Sequence, residues 1–290
     1  MITPLRASDE LDIAGLERLI AHLLAGGVHG IFILGTTGEA PGLSYRLRRE
    51  LIRRVCGLVG QRVPVLVGIT DPSITEARQL CNEASDAGAS AVVAAPPFYF
   101  PNSQPELLAY FIRLAASLPL PLFLYQMPTH TKTLISMDGM RRLLDEPNVI
   151  GIKDSSGNMA DYHRLVEIVR GREGVSLLIG PEELLAESLL FGGHGGVCGG
   201  ANLFPRLYVD LYEAATAGRL ERTVELHRRV IKISSTLYGV GRFGSAFIKG
   251  LKGSLGLLGI CDDFVAEPFS RFAPPERERL RGLLGDLGAL

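Results

Sequence analysis

The amino-acid sequence predicts an α/β fold, an eight-stranded (β/α)8 barrel followed by a helical extension. Three observations predict it. Short apolar runs alternate with amphipathic stretches over residues 30–202. The runs are apolar at every position, as in strands that are covered on both faces. After residue 202 only amphipathic stretches follow. A chain of 290 residues is long enough for one such barrel.

Seven strands are predicted in chain order, with helical segments between them. They cover residues 30–35, 64–70, 89–96, 121–127, 149–155, 175–180 and 196–198. A helix is predicted over residues 44–60 because Leu47, Leu51 and Val55 recur every four residues. Ser73 is predicted to cap the following helix, in a capping box with Glu76 three residues later.

The eighth strand of the barrel must be the first in the chain. Only I-T-P-L at residues 2–5 is available for it, so we predict a barrel with a clipped first strand. An open doubly wound sheet is the alternative. Helices are then predicted over residues 205–217, 220–238, 241–258 and 275–287, which gives a barrel domain at 1–202 and a helical bundle packed on it at 203–290.

The composition excludes several classes of partner. The chain has 30 basic and 31 acidic side chains and a formal net charge of −1, too little to recruit nucleic acid or an anionic membrane. Its four cysteines form no C-x-x-C pair, which favours buried thiols in a reducing compartment over a zinc or disulfide framework. No signal peptide or apolar membrane span is evident, so we expect a cytoplasmic protein that acts on a small neutral or acidic metabolite.

The run V-I-G-I-K-D-S ends a predicted strand on Lys153. Lysine is almost never buried unless it is paired or chemically employed. At the carboxyl end of a barrel strand, where catalytic groups lie, poor solvation disfavours the charged ammonium form. A neutral amine attacks carbonyl carbon and forms a Schiff base. The alternative is a structural lysine paired with a carboxylate such as Asp154 or Glu39.

Other strand ends carry polar groups. In G-T-T-G-E, the hydroxyls and N–H groups of Thr36 and Thr37 could form a concave site for a carboxylate, although the segment could also be an ordinary turn. In Y-Q-M-P, the Tyr125 hydroxyl could relay protons, or the ring could be a core aromatic. In P-P-F-Y-F-P, Tyr99 could reach a neighbouring subunit or cover the barrel.

The glycine-rich run G-G-H-G-G-V-C-G-G at residues 192–200 does not fit a dinucleotide-binding pattern, because it follows a helix. His194 has no partner at metal-ligand spacing, and we interpret it as structural. The sequence contains no H-E-x-x-H, calcium-loop or G-x-S-x-G motif. It therefore implies neither a metal nor a cofactor.

The motifs G-T-T-G-E, Y-x-x-P and G-I-K-D-S-S-G-N, in this order, resemble those of the dihydrodipicolinate synthase / N-acetylneuraminate lyase family. The resemblance extends from I-T-P-L to I-K-G-L-K-G-S-L-G-L-L-G near the end of the chain. It implies a TIM barrel with C-terminal helices and a class I (Schiff-base) lyase that acts on pyruvate or another 2-oxo acid without a cofactor. It also implies a homotetramer built as a dimer of dimers.

The resemblance assigns roles by position. Lys153 matches the lysine that forms the imine, and Tyr125 matches the proton-relay tyrosine. Thr36 and Thr37 match the residues that hold the 2-oxo acid carboxylate, and Thr37 also joins the relay.

Further positions match or depart from the family. Tyr99 is similar to a tyrosine that reaches a neighbouring active site, and Val197 to a residue whose carbonyl approaches the lysine. His130 stands where the synthase branch has an arginine for a second carboxylate, and imidazole does not replace a bidentate guanidinium. Gln126 replaces the usual asparagine and Lys132 the usual glycine.

These features favour a pyruvate aldolase that cleaves or forms a C–C bond, on a 2-oxo-3-deoxy sugar acid or a similar 2-oxo acid, with His130 as a substrate contact. A keto-deoxy sugar acid dehydratase that uses the same lysine is the alternative. Dihydrodipicolinate synthase itself and a non-catalytic 2-oxo acid sensor are less favoured.

Overall fold

The computed structural model describes residues 1–290. The chain packs as two compact units: residues 1–63 with 199–290, here called the terminal unit, and residues 64–198, the middle unit. Within each unit the residues contact one another more than they contact the other unit. The predicted boundary between a barrel at 1–202 and a bundle at 203–290 is a different division and stays a prediction.

The terminal unit begins with a hairpin. Strands β1 (Leu5–Ala7) and β2 (Glu10–Leu11) pair antiparallel, with Leu5 opposite Leu11. The strand predicted at residues 2–5 is therefore wrong, since residues 2–4 form no strand. Pro4 has no N–H to donate, and long-range bonds use the donors of its neighbours: the Ile2 N–H donates to Asn202 Oδ1 (3.0 Å), and the Thr3 hydroxyl donates to the Gly38 carbonyl (2.7 Å).

Next come a helix that was not predicted, and then a strand and a helix that were. They are α1 (Ile13–Ala25), β3 (Ile31–Ile33) and α2 (Tyr45–Val59). Helix α2 begins after Ser44, whose hydroxyl accepts from the Leu47 N–H (3.2 Å), and it ends at Gly60 in the left-handed conformation (φ 56°). Its buried leucine and valine face is the one that the four-residue spacing predicted.

The middle unit contains six parallel strands, each paired with the next in chain order. They are β4 (Val65–Gly68), β5 (Ala91–Ala94), β6 (Leu122–Gln126), β7 (Val149–Asp154), β8 (Ser176–Ile179) and β9 (Gly195–Gly196). The helices between them are α3 (Ile74–Asp86), α4 (Gln104–Ser117), α5 (Pro128–Thr131), α6 (Met137–Leu143), α7 (Met159–Val169) and α8 (Leu185–Leu190). Parallel strands place their carboxyl ends along one edge of the sheet, and this edge positions the residues described below.

One detail of the predicted capping differs. The Ser73 hydroxyl accepts from the Glu76 N–H (3.4 Å), so Ser73 is the N-cap of α3 as predicted. The reciprocal bond of a capping box does not form, because the Ser73 N–H donates to Asp71 Oδ1 (2.9 Å). A complete capping box forms instead between Ser103 and Glu106, at the start of α4.

Helices alone follow in the terminal unit, as predicted. They are α9 (Pro205–Thr216), α10 (Leu220–Leu237), α11 (Ala246–Leu257) and α12 (Pro274–Asp286). Helix α11 begins five residues later than predicted, because Gly241 has φ 110° and residues 241–244 form a turn. None of the twelve helices combines the length and apolar character needed to cross a bilayer.

Candidate active site

Lys153 and Tyr125 are neighbours on adjacent strands. They are register partners in the parallel pair β6–β7, so their side chains lie on the same face of the sheet. Lys153 is only 5% exposed, and its Nζ lies 3.8 Å from the centroid of the Tyr125 ring. The same Nζ donates a hydrogen bond to Ser155 Oγ at 2.9 Å. The amine is thus held between an aromatic face and a hydroxyl, at the carboxyl end of β7.

The carboxylates considered as partners of Lys153 are engaged elsewhere. Asp154 projects from the opposite face of β7, and its Oδ2 accepts from the Ser156 hydroxyl at 2.9 Å. Burial raises the pKa of the Asp154 carboxyl, and the Ser156 hydrogen bonds offset part of that rise. Glu39 forms an ion pair with Lys252. The charge of Lys153 also acts to lower the pKa of the Asp154 carboxyl, so the structural alternative for Lys153 stays a prediction.

Ser155 is a site residue that sequence reasoning missed. Residues two apart on a strand share a face, so the spacing of Lys153 and Ser155 in K-D-S was the available signal. Room for the serine depends on Gly180, at the end of the neighbouring strand β8: a Cβ there would lie 1.9 Å from Ser155 Oγ. The Gly180 N–H also donates to the Asp154 carbonyl at 2.7 Å. Gly180 thus keeps the two strand ends close together.

Three more residues follow the ends of β8 and β9 at this edge, namely Glu182, Val197 and Cys198. The Val197 N–H donates to the Ile179 carbonyl (2.8 Å), which places Val197 and the half-buried Cys198 directly after β9. Burial raises the pKa of the Cys198 thiol well above its ordinary value, the negative charge of the buried Glu182 adds to the rise, and the charge of Lys153 opposes it. Cys198 is therefore a protonated neighbour of the amine.

The segment after β6 carries His130. Its Nδ1 lies 2.9 Å from Thr129 Oγ1, and Lys132 Nζ donates to the Thr129 carbonyl at 2.8 Å. Partial burial and the Lys132 charge lower the pKa of His130 from 6.5. The imidazole is consequently neutral at pH 7, unlike the guanidinium that the resemblance leads one to expect at this position.

Gln126 connects the two ends of that segment. Its buried amide donates to the Ile135 carbonyl and accepts from the Ile135 N–H, both at 2.9 Å. The extra methylene relative to asparagine lets the amide act as a peptide group that pairs with Ile135. The segment from Met127 to Leu134 is therefore anchored at both ends.

Tyr99 is exposed on the surface. Its side chain is 87% exposed, its backbone has φ 86°, and its ring makes an edge contact with Phe100 at 5.1 Å between centroids. A positive φ at a bulky residue is uncommon and accompanies functional loops. The role expected for Tyr99 in a neighbouring subunit stays a prediction.

The G-T-T-G-E segment belongs to the terminal unit, where it forms a tight loop between β3 and α2. The Glu39 N–H donates to the Thr36 carbonyl at 3.0 Å, and Thr36 and Thr37 are half-buried. Two non-glycine residues with positive φ, Leu34 (57°) and Glu39 (56°), flank the loop. These angles accompany a turn over residues 36–39, and the ordinary turn and the carboxylate site both stay predictions for this segment.

His194 is bonded to the neighbouring strand through its ring and its backbone. His194 Nδ1 accepts from the Leu177 N–H (3.0 Å), and the His194 N–H donates to the Leu177 carbonyl (2.9 Å), in agreement with a structural role. No group of three or more histidine, cysteine, aspartate or glutamate side chains is arranged to hold a metal ion.

Comparison with known proteins identifies the family. The model of the dihydrodipicolinate synthetase family matches residues 1–286. The chain belongs to this family. It is 31% identical over its full length to 4-hydroxy-tetrahydrodipicolinate synthase of Ralstonia nicotianae, covering 96% of that protein. It is 33% identical to the protein of the same name from Methanoculleus marisnigri, with 99% of the chain and 97% of the relative covered.

Solved structures agree over the whole chain. Dihydrodipicolinate synthase from Bacteroides thetaiotaomicron is 50% identical with a TM-score of 0.96, over 99% of this chain and 96% of that one. YagE from E. coli K12, solved in complex with pyruvate, is 30% identical with a TM-score of 0.93, over 100% and 97%. The predicted fold class, a TIM barrel with C-terminal helices, is confirmed, and the protein is a pyruvate-dependent class I lyase that works through a Schiff base.

Proposed function

We propose that the protein is an aldolase that cleaves, or in reverse forms, the C3–C4 bond of a 2-oxo acid, with pyruvate as one product. The observation that carries the proposal is the buried amine of Lys153, held by Tyr125 and Ser155 at the carboxyl end of β7. A desolvated amine in a fixed position is suited to attack on carbonyl carbon.

The chemistry follows from the iminium. Lys153 attacks the C2 carbonyl and, after loss of water, carries a positively charged C=N bond. That charge accepts the electron pair of the C3–C4 bond, so cleavage leaves an enamine and not a free carbanion. Tyr125 takes the proton of the C4 hydroxyl as the bond breaks and later returns a proton. Protonation of C3 and hydrolysis then release pyruvate and free the lysine.

The remaining site residues are assigned by family position. Thr36 and Thr37 are assigned to the carboxylate of the 2-oxo acid, which their hydroxyl and N–H groups can bind, and Thr37 is also assigned a part in the proton relay. The carbonyl of Val197 faces the lysine, and His130 contacts the far end of the substrate. A neutral imidazole suits a hydroxylated tail better than a second carboxylate, which favours 2-oxo-3-deoxy sugar acids.

A second candidate is the condensation for which several relatives are named, the synthesis of 4-hydroxy-tetrahydrodipicolinate. The 50% identity to a protein named dihydrodipicolinate synthase favours it. His130 opposes it, because the arginine expected to bind a second carboxylate is missing. A dehydratase would instead eliminate a hydroxyl group of the substrate from the same iminium, and it would release no aldehyde.

The first experiment is covalent trapping. The protein is treated with pyruvate and borohydride, and the modified peptide is identified by mass spectrometry. We expect one adduct, on Lys153, and none in Lys153→Ala. An unmodified parent protein would refute the proposal, and pyruvate binding by Lys153→Ala without turnover by the parent would favour a sensor.

The second experiment is a substrate screen. 2-Oxo-3-deoxy sugar acids are tested for pyruvate release and for a product that retains every carbon atom, and pyruvate is tested with aldehydes with and without a carboxylate. Pyruvate release identifies the aldolase, and a carbon-retaining product identifies the dehydratase. Preferential condensation with a carboxylated aldehyde identifies the synthase.

We also propose a homotetramer in which Tyr99 contributes to a neighbouring site. Its 87% exposure and left-handed backbone support this role. The family includes a dihydrodipicolinate synthase variant described as monomeric, so the assembly must be measured. Light scattering should give four chains, and Tyr99→Ala should lower turnover without altering the fold. A fully active monomer would refute both statements.

A further inference from the structure

The loop from Gly35 to Glu39 is held in an unusual conformation. Leu34 and Glu39, at its two ends, both have left-handed backbone angles (φ 57° and 56°). Residues other than glycine, asparagine and aspartate rarely adopt these backbone angles. Where they do, surrounding contacts hold the backbone in place. The contacts that fix this loop therefore help to define its shape.

The strongest of these contacts is a buried ion pair. Lys252 Nζ, on α11, pairs with Glu39 Oε1, and the two side chains are 0% and 2% exposed. Glu39 Oε2 also accepts from the Ala266 N–H at 2.7 Å, and Lys252 Nζ donates to the Phe264 carbonyl at 2.7 Å. The carboxylate at the end of the loop is thus joined to α11 and to the segment that follows it.

A second tether comes from the start of the chain. The hydroxyl of Thr3, which is 1% exposed, donates to the Gly38 carbonyl at 2.7 Å. This contact and the bond from the Glu39 N–H to the Thr36 carbonyl engage both polar groups of the peptide between Gly38 and Glu39, one residue beyond Thr37. The loop is therefore held from three separate parts of the terminal unit.

Stability alone does not explain the ion pair. Burial lowers the pKa of Lys252 even though Glu39 acts in the opposite sense, so desolvation of the ammonium is the larger effect. Buried pairs of this kind are often replaced by apolar residues with no loss of stability, and their best attested use is to specify one geometry. A strained loop beside the pair is the geometry that needs specifying here.

We propose that Glu39 and Lys252 are positioning residues that hold Thr36 and Thr37 in the arrangement that binds the substrate carboxylate. The C-terminal helices thereby set the affinity for the 2-oxo acid. This inference rests on the proposed function, in which the two threonines bind that carboxylate.

The test removes the pair and keeps the shape. In Glu39→Gln/Lys252→Met both charges are lost, an oxygen remains for the Ala266 N–H, and the apolar stem of the lysine is retained. The matched control is Glu225→Gln/Arg222→Met, which makes the same kind of change in an exposed pair on α10. Both are assayed by the rate of borohydride trapping on Lys153 as a function of pyruvate concentration, with circular dichroism to verify folding.

We expect the half-saturating pyruvate concentration to rise about 10- to 100-fold, which corresponds to one misaligned hydrogen bond to a charged group, while the plateau rate changes little. The surface control should match the parent. A purely structural pair would lower the amount of folded protein and leave half-saturation unchanged, and that result in a folded variant would overturn the inference. If the double variant does not fold, the half-saturating pyruvate concentration of Glu39→Gln alone is compared with that of the parent. A parent protein that is not trapped would refute the proposed function itself, and the inference with it.

Discussion

Replacing Tyr125 by phenylalanine separates two roles of one side chain. Lys153 Nζ lies 3.8 Å from the ring centroid, well inside the range of a cation–π contact, which contributes about 1–2 kcal/mol when desolvated. Phenylalanine keeps that face, so the amine should stay in place and form the pyruvate imine. The hydroxyl is lost, and a positioned proton donor or acceptor typically contributes about 10²- to 10⁴-fold to the rate.

The assay therefore measures two rates on the same protein. Borohydride trapping with pyruvate reports imine formation, and pyruvate release from the sugar acid found in the screen reports C–C cleavage. For Tyr125→Phe we expect cleavage to fall about 10²- to 10⁴-fold while trapping stays close to that of the parent. The difference between the two losses measures the contribution of the hydroxyl.

Tyr125→Leu serves as the comparison. It removes the ring as well. Because the iminium is itself a cation beside that ring, trapping should fall by a further factor of about 5 to 30, equivalent to 1–2 kcal/mol. Thermal unfolding shows whether each variant is folded, because Tyr125 is buried. Cleavage by Tyr125→Phe at the rate of the parent would refute the relay, and equal trapping by the two variants would refute a contribution from the ring.

Three further predictions concern other parts of the middle and terminal units. His130→Arg should lower KM for a carboxylated aldehyde about tenfold or more. In the parent the pKa of His130 is lowered from 6.5, so the imidazole becomes a cation, and KM for the carboxylated aldehyde falls, only on acidification. A parent KM that does not change with pH would contradict this. Gly151→Ala should reduce the free energy of unfolding by about 1–3 kcal/mol in a urea titration, because its Cβ would lie 2.4 Å from the Ser176 carbonyl oxygen. Cys81 and Cys261, whose pKa values burial raises to about 11 and about 12, should react with a thiol reagent only after unfolding; labelling in the native state would contradict this.

The sequence was most informative where one strand carried the whole signal. Lys153 is the penultimate residue of the six-residue strand β7, and its pairing with Tyr125 follows from parallel order once both strands are recognised. Strand centres were predicted well because apolar runs have few alternative structures. Ser155 was missed because a serine after a strand is common. Its two-residue spacing from Lys153 places both side chains on one face, but the hydrogen bond to Lys153 Nζ is visible only in the structure.

Long-range pairing could not be predicted from a single sequence. Glu39 was considered as a partner for Lys153, yet its actual partner, Lys252, lies near the other end of the chain on a helix that reads as ordinary amphipathic sequence. The first strand failed for a related reason. Residues 2–4 have strand-like composition, but Ile2 and Thr3 use their donors on Asn202 and Gly38, which no local pattern reveals.

The paired hydrogen bonds between Gln126 and Ile135 have a consequence for evolution and for engineering. Because the amide joins the two ends of the intervening stretch, the eight residues from Met127 to Leu134 behave as an exchangeable cassette. Its residues, His130 and Lys132 among them, can be substituted while Tyr125, which precedes Gln126, keeps its place. Under the proposed aldolase function, a library confined to this cassette would test new aldehydes while Lys153 and Tyr125 stay unchanged.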